Sequence, residues 1–167
     1  MNHNQKQQKP IPPCSSSELT TIQNPSIADL KVIDDGIDEF NGAQPELSWV
    51  RPLSVVSKSC DGRVLAGAVG RTWGECCELQ QLWVSAEFRG RGIGKKLMRE
   101  FEQAAWERGC RLIYLYTFTF QAPAFYQKLG YEPALVTRGY TAEIEKFTMH
   151  KTLPSQGTEA KRSGDEI

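Results

Sequence analysis

The sequence predicts an α/β fold built on a mixed β-sheet, and two features support this prediction. Three strand-like runs follow one another with tight connections, a pattern typical of an antiparallel meander. After Val84 the apolar residues recur every three or four positions, which predicts a helix, and another strand-like run follows. A strand, a helix and a strand in that order form a βαβ unit, whose two strands run parallel. The sheet should therefore contain both antiparallel and parallel neighbours.

The length of 167 residues suits one domain with its own core. We expect this domain at residues 18–153, between polar tails at residues 1–17 and 154–167 that lack the composition of a folded segment. The formal net charge is zero, which argues against a nucleic-acid-binding protein, although a local basic cluster surrounds residues 89–99.

The composition also predicts a cytoplasmic protein without a bound metal. The five cysteines lack the spacing of metal ligands, and the two histidines stand near opposite ends of the chain. There is no apolar run long enough to span a membrane, and the N-terminus lacks the apolar core of a signal peptide. No membrane association is therefore expected.

The chain before the meander predicts a short strand and then helical structure. Residues 18–23, ELTTIQ, are expected to form the strand. Apolar residues at helical spacing follow between Ile27 and Phe40, with a capping signal at Ser26 and Asp29 and a stop at Gly42. Gly36 leaves two short helices as open as one long helix.

The meander is predicted at residues 53–59, 63–71 and 76–84. Asp61-Gly62 is a strong hairpin signal between the first two runs, and residues 72–75 form the second turn. The next helix carries Ile93, Leu97, Phe101 and either Ala104 or Ala105 on one face and ends at Gly109. Residues 111–118 then form a strand, residues 121–130 contain a short helix, and residues 131–136 and 144–153 form the closing strands.

The stretch EFRGRGIGKKLMRE places three glycines directly before a helix. The first N–H groups of a helix have no partner inside it, and the helix dipole favours negative charge there, so this loop is a candidate site for phosphate groups. The spacing fits neither a P-loop nor a dinucleotide fingerprint, because Gly90 and Gly94 are too close and Lys95 stands where a third glycine is required.

The run Arg89-Gly90-Arg91-Gly92-Ile93-Gly94 does match the pattern R/Q-x-x-G-x-G/A. Placed after a strand and at the start of an amphipathic helix, it resembles the acyl-CoA pyrophosphate loop of the GCN5-related N-acetyltransferases (GNAT family). The later APAFYQKLGYE resembles the second hallmark of that family. The resemblance implies a GNAT-like, mostly antiparallel sheet with helices on both faces and a splayed pair of parallel strands.

The same resemblance implies an N-acetyltransferase that uses acetyl-CoA as its acyl donor. The pyrophosphate would rest on the loop formed by Arg89, Gly90, Arg91, Gly92, Ile93, Gly94 and Lys95. The pantetheine arm would pair with the strand that ends Leu82-Trp83-Val84, which in this family commonly carries a bulge. Family members often have an asparagine that hydrogen-bonds the pantetheine, and here Thr119 stands in that position.

The resemblance also implies two catalytic residues. Tyr126, in AFYQKLGY, is the candidate general acid that protonates the leaving thiolate, because a phenol is protonated at neutral pH. Glu78 is the candidate general base for the attacking amine, directly or through water, with Glu75 as the alternative. Tyr131 is interpreted as structural.

The acceptor is not encoded in these motifs. A small-molecule amine and a protein amine both stay open as acceptors, and so does a homodimer. The acidic run between Asp34 and Glu39 could attract a cationic amine, but a solvated helix face is the usual explanation of such a run. The alternative function is a non-catalytic module that binds acyl-CoA as a sensor or interaction domain.

Overall fold

A computed structural model describes residues 19–45 and 50–155. The predicted tail 1–17 and residues 156–167 of the other predicted tail lie outside this range, so the predicted domain bounds stay a prediction. The strands are β1 Arg51–Lys58, β2 Val64–Trp73, β3 Cys76–Val84, β4 Leu112–Phe118, β5 Glu132–Thr137 and β6 Lys146–Thr152. The helices are α1 Ile27–Gly42, α2 Ile93–Glu107 and α3 Pro123–Gln127. Within these ranges none of the helices is long and apolar enough to cross a membrane.

The segment 19–45 contains one continuous helix, α1. Its start is capped as predicted, because the Asp29 carboxylate accepts a hydrogen bond from the Ser26 N–H at 3.0 Å and the Asp29 N–H donates to Ser26 Oγ at 3.2 Å. Gly36 does not interrupt the helix, and Gly42 is its last residue, as predicted.

The predicted strand at residues 18–23 is wrong for the residues that are described. Residues 19–23 form no strand, and both Leu19 and Ile22 are exposed. These two apolar residues are three apart, so they would point to opposite faces of a strand and could not bury one side of it. Asn24 then takes a positive φ of 54°, which ends any extended run.

The part from residue 50 onward contains a six-stranded sheet in the order β1-β2-β3-β4-β6-β5. β3 and β4 are parallel, and the other neighbouring pairs of this sheet are antiparallel. The predicted mixed sheet and the predicted parallel pair are both confirmed. The Asp61-Gly62 hairpin also joins β1 to β2 as predicted, with the Ser59 N–H 2.9 Å from the Arg63 carbonyl oxygen and Gly62 at φ 85°.

α2 supplies most of the helical part of the core. Leu97, Phe101 and Ala105 are buried as predicted, Met98 is buried with them, and Ile93 is half-buried. Met98, Phe101 and Ala105 pack in one cluster with sheet residues such as Ala68 of β2 and Leu115 of β4. Burying one large apolar side chain in this way contributes about 1.5–3 kcal/mol to stability, so α2 is firmly fixed on the sheet.

The parallel strands β3 and β4 pair only over part of their length. Their pairing runs from Cys76 opposite Leu112 to Leu79 opposite Leu115, although β3 continues to Val84 and β4 to Phe118. On the other edge of β3, Gly70 is opposite Leu79 while Val69 is opposite Gln81, so Gln80 is an additional residue. This bulge bends β3 at the point where it leaves β4. The predicted splayed strand pair is confirmed.

Candidate active site

The gap between β3 and β4 opens into a cleft of about 1120 Å³. It is lined by β3 from Leu79 onward, by the loop and first turn of α2, by the middle of β4 and by the segment that leads into α3. Ten of the thirteen predicted site residues line it, namely Leu82, Trp83, Val84, Arg89, Gly90, Gly92, Ile93, Gly94, Lys95 and Tyr126. Its volume is slightly above the usual range of about 300–1,000 Å³ for small-molecule sites, which suits a long ligand.

One wall of the cleft is the free edge of β3. Beyond Leu79, this strand still pairs with β2 on its other side but has no partner on the β4 side within the described residues. Leu82, Trp83 and Val84 belong to this free edge, and an extended ligand can pair with such an edge as an additional strand.

The start of α2 forms one end of the cleft. The loop turns through two glycines in left-handed conformation, Gly90 with φ 72° and Gly92 with φ 77°, and Gly92 is the N-cap residue of α2. The N-cap has no side-chain hydrogen bond, and the first intrahelical bond joins the Lys96 N–H to the Gly92 carbonyl at 3.0 Å. The N–H groups of residues 93–95 are therefore left for a ligand.

Gly94 faces α3 and the end of β3 at this helix start. A Cβ at Gly94 would lie 3.4 Å from Cζ of Phe125 and 3.8 Å from a methyl group of Val84. These are ordinary contact distances, so packing does not by itself require a glycine at this position, whereas the left-handed turn does favour glycine at Gly90 and Gly92.

The basic residues of the loop differ in what they contact. Arg89 donates from Nε to the Val84 carbonyl oxygen at 2.9 Å, which ties the loop to the end of β3. Arg91 lies outside the cleft lining, with its guanidinium carbon 5.4 Å from the centre of the Phe88 ring. Lys95 lines the cleft. Lys95 and Arg89 are therefore the basic residues of this loop that line the cleft.

Tyr126 in α3 lines the cleft while only 8% of its surface is exposed. Its ring is held edge-on by Phe125 and Tyr131, with centroid distances of 5.2 and 5.8 Å. Burial raises the pKa of Tyr126 to about 12, so the phenol is protonated throughout the physiological range. The hydroxyl has no hydrogen-bond partner in the described part of the chain, which leaves its proton available to a ligand.

Glu78 lies just before the cleft and does not line it. It is opposite Tyr114 in the last part of β3 that still pairs with β4. Its Oε2 accepts hydrogen bonds from Arg71 Nε at 2.7 Å and from Gln80 Nε2 at 3.4 Å. Since Gln80 lines the cleft, it connects Glu78 to the cleft wall. Glu75 precedes β3 at the end where the strands remain paired, so Glu78 is nearer to the gap than this alternative.

Thr119, predicted to lie beside the pantetheine, does not line the cleft, whereas Gln121 two residues later does. The Thr119 hydroxyl donates to the Glu143 carbonyl at 3.2 Å and accepts from the Glu145 N–H at 3.3 Å, outside the cleft lining. Gln121 lines the cleft, and its Oε1 accepts from the Phe118 N–H at 3.0 Å. Because the oxygen is bound to a backbone donor, the NH₂ group is the free end of this side chain. Sequence spacing alone did not identify Gln121.

The comparisons with known proteins agree with this geometry. A sequence model of the family described as "Acetyltransferase (GNAT) family" matches residues 24–131. The chain is 36% identical over 107 residues to a blasticidin-S acetyltransferase of Streptomyces morookaense, which covers 62% of this chain and 79% of that protein. It is 30% identical over 100 residues to a streptothricin acetyltransferase of Streptomyces lavendulae, covering 59% and 53%.

The fold is also similar to solved structures. The crystal structure of an acetyltransferase from Bacillus cereus superposes with a TM-score of 0.71 at 29% identity, covering 80% of this chain and 98% of that one. The splayed parallel pair, the cleft between its strands and these similarities together define an acyltransferase. The chain belongs to the GNAT acetyltransferase family.

Proposed function

We propose that this protein transfers an acetyl group from acetyl-CoA to a primary amine of a small molecule, by direct attack within one ternary complex. The observation that carries the proposal is that a single cleft is lined both by the bare N-terminus of α2 and by the protonated Tyr126. A site for negative charge and a proton donor are the two features that a CoA thioester requires from its enzyme.

For the donor, the proposal assigns the pyrophosphate to the N–H groups at residues 93–95, with Lys95 and Arg89 beside it. The extended pantetheine arm would pair with the free edge of β3 at Leu82–Val84. Gln121, rather than Thr119, is the side-chain amide that faces the cleft.

For the acceptor, the difficulty is the proton on the amine. A free primary amine has a pKa of about 10, so only about one molecule in a thousand is neutral at pH 7. A base beside the cleft would raise that share at the moment of attack. Glu78 is our candidate because its carboxylate adjoins Gln80 on the cleft wall, so a proton could reach it directly or through water.

Direct attack of the amine on the thioester carbonyl forms the amide bond and breaks the C–S bond. The leaving thiolate then needs a proton or a strong hydrogen bond. Tyr126 is our candidate donor, since its hydroxyl is protonated and its ring is fixed by two aromatic neighbours.

The names of the relatives support a small-molecule acceptor over a protein amine. Two relatives that are at least 30% identical to this chain over the matched residues are named for the acetylation of blasticidin S and of streptothricin. These two compounds are therefore the first acceptors to test.

The test has two stages. Calorimetry with acetyl-CoA measures donor binding, and no detectable binding at millimolar concentration would overturn the proposal. A panel of amines that includes blasticidin S, streptothricin and a lysine peptide then reports turnover through the released CoA thiol. We expect thiol release with at least one small-molecule amine. Tight acetyl-CoA binding with no thiol release from any acceptor would favour the non-catalytic module. A cytoplasmic location and a homodimer stay predictions.

A further inference from the structure

The ammonium group of Lys146 lies near the point where β3 and β4 separate. Its Cα is opposite Phe118 on the neighbouring strand β4, yet its ammonium group lies 4.5 Å from the centre of the Tyr116 ring. Tyr116 is the first residue of β4 beyond the last β3–β4 pair, and it lines the cleft. The side chain of Lys146 therefore runs along the sheet toward the origin of the gap.

The Lys146 amine has no carboxylate partner within the described residues. The adjacent Glu145 is already paired with Arg138 Nε at 2.6 Å. Glu78, on the other side of β4, is paired with Arg71 at 2.7 Å. Lys146 is half-buried, and within residues 19–45 and 50–155 its ammonium contacts the face of an aromatic ring, an attraction of about 0.5–2 kcal/mol. An aromatic face positions an amine without accepting a hydrogen bond from it in the way that a carboxylate would.

We propose that Lys146 is an internal acceptor, so that the protein acetylates this lysine in cis from acetyl-CoA bound in its own cleft. This proposal rests on the proposed function, because it uses the same donor and the same cleft. The Lys146 ammonium first loses a proton to solvent, and the neutral amine then attacks the thioester carbonyl, so that the new C–N bond forms and the C–S bond breaks. CoA leaves as the thiolate, and the proton lost by the amine is taken up by the thiolate or by solvent.

The modification would change the wall of the cleft. Acetylation replaces the ammonium above Tyr116 by a neutral amide, which removes the attraction to the ring and adds bulk beside the gap. Acetylated protein should therefore turn over an external amine more slowly than unmodified protein, and the loss should grow with the acetylated fraction at Lys146.

The experiment incubates the full chain with acetyl-CoA and follows acetylation of each lysine by peptide mass spectrometry. Lys128 is the matched control, because it is an exposed lysine outside the cleft lining. We expect Lys146 to react at least about tenfold faster than Lys128. Acetyl-CoA bound in the cleft would hold its thioester close to the Lys146 amine, whereas Lys128 would react only with acetyl-CoA from solution. The Lys146 rate should saturate with acetyl-CoA and be independent of protein concentration, whereas the Lys128 rate should rise linearly with acetyl-CoA.

Two variants and one binding measurement make the outcome decisive. Lys146→Arg keeps the positive charge above the ring and should abolish the fast label, while Lys128→Arg should leave it intact. Acetyl-CoA binding by calorimetry with equal labelling of Lys146 and Lys128 would overturn this inference and leave the proposed function standing. A Lys146 rate proportional to protein concentration would also overturn it, since transfer would then pass between molecules. Absence of acetyl-CoA binding would overturn both proposals.

Discussion

Arg71 and Glu78 form an ion pair across the β2–β3 ladder, with Arg71 Nε 2.7 Å from Glu78 Oε2. The guanidinium carbon of Arg71 also lies 4.6 Å from the centre of the Trp73 ring. The candidate base is thus held by a cation that is itself fixed on an aromatic face. Glu78 is 13% exposed, so its orientation is determined by these neighbours and not by solvent.

This arrangement gives the first prediction. Glu78→Gln keeps the size of the side chain but removes the group that can accept a proton, so kcat should fall about 10- to 100-fold. The KM for acetyl-CoA should change little, because Glu78 does not line the cleft. Steady-state thiol release measures both constants. Glu75→Gln is the matched control and should have no effect, whereas a loss confined to Glu75→Gln would assign the base to that residue.

The second prediction concerns Tyr126. Tyr126→Phe removes only the hydroxyl, so kcat should fall by about two orders of magnitude while calorimetry shows nearly unchanged affinity for acetyl-CoA. Tyr140→Phe is the control, because Tyr140 packs edge-on against Phe118 and does not line the cleft. A Tyr126→Phe enzyme with wild-type kcat would exclude this residue as the general acid.

The regular elements were predictable from sequence because each depends on a local pattern. The alternation in β1–β3, the helical spacing from Ile93 to Ala105 and the Asp61-Gly62 turn are signals within a few residues of each other. The capping pair Ser26 and Asp29 was also predictable from its spacing of three residues.

The features that shape the site depend instead on register between distant segments. The bulge at Gln80 exists only because β2 and β3 shift by one residue at Val69 and Gly70. The ion pair of Glu78 with Arg71 depends on the same strand register, which places these two residues opposite each other. That Gln121 lines the cleft and Thr119 does not depends on hydrogen bonds to the backbone N–H groups of Phe118 and Glu145. No local pattern contains this information.

Gly70 gives the third prediction, on stability. A Cβ at this position would lie 2.0 Å from the Glu78 carbonyl oxygen and 2.9 Å from Cζ of Phe101. Both contacts are shorter than packed atoms allow, and neither the strand backbone nor the buried ring can move freely. Gly70→Ala should therefore lower the free energy of unfolding by about 2–4 kcal/mol, as measured by urea denaturation.

Gly67 on the same strand is the matched control for this prediction. Its Cβ would meet only the Val55 carbonyl oxygen at 3.5 Å, an ordinary contact. Gly67→Ala should change the free energy of unfolding by less than about 1 kcal/mol. Equal effects at Gly67 and Gly70 would show that the close approach beside the bulge is not what requires glycine.

The fourth prediction is a loss of stability at alkaline pH. Burial raises the pKa of Tyr126 to about 12 and also raises the pKa of Tyr131, while burial raises the pKa of the Cys77 thiol to about 12. The folded state therefore holds these protons more tightly than the unfolded state. Their contribution is complete below the unfolded pKa values, about 8.5 for the thiol and 10 for the phenols, and is lost as pH rises toward 12.

For Tyr126 alone, the difference of about two between the folded and the unfolded pKa corresponds to at most about 3 kcal/mol in the free energy of unfolding. Urea unfolding between pH 8 and pH 12 should show this decline, and Tyr126→Phe should make it shallower above pH 10. An identical pH dependence in wild type and variant would mean that Tyr126 titrates normally in the folded protein.

The fifth prediction tests the helix start with two substitutions of equal size. Gly92 has φ 77° and ψ 0°, a left-handed conformation that asparagine and aspartate tolerate better than other side chains. Gly92→Asp would place a negative charge at the bare N-terminus of α2, where the proposed pyrophosphate binds. The dissociation constant of this variant for acetyl-CoA should rise at least about tenfold, corresponding to about 1.4 kcal/mol.

Gly92→Asn is the matched control. It carries the same bulk without the charge and should bind acetyl-CoA nearly as wild type does. If both variants lose the same affinity in calorimetry, bulk or backbone strain explains the loss, and the electrostatic role of this helix terminus is wrong.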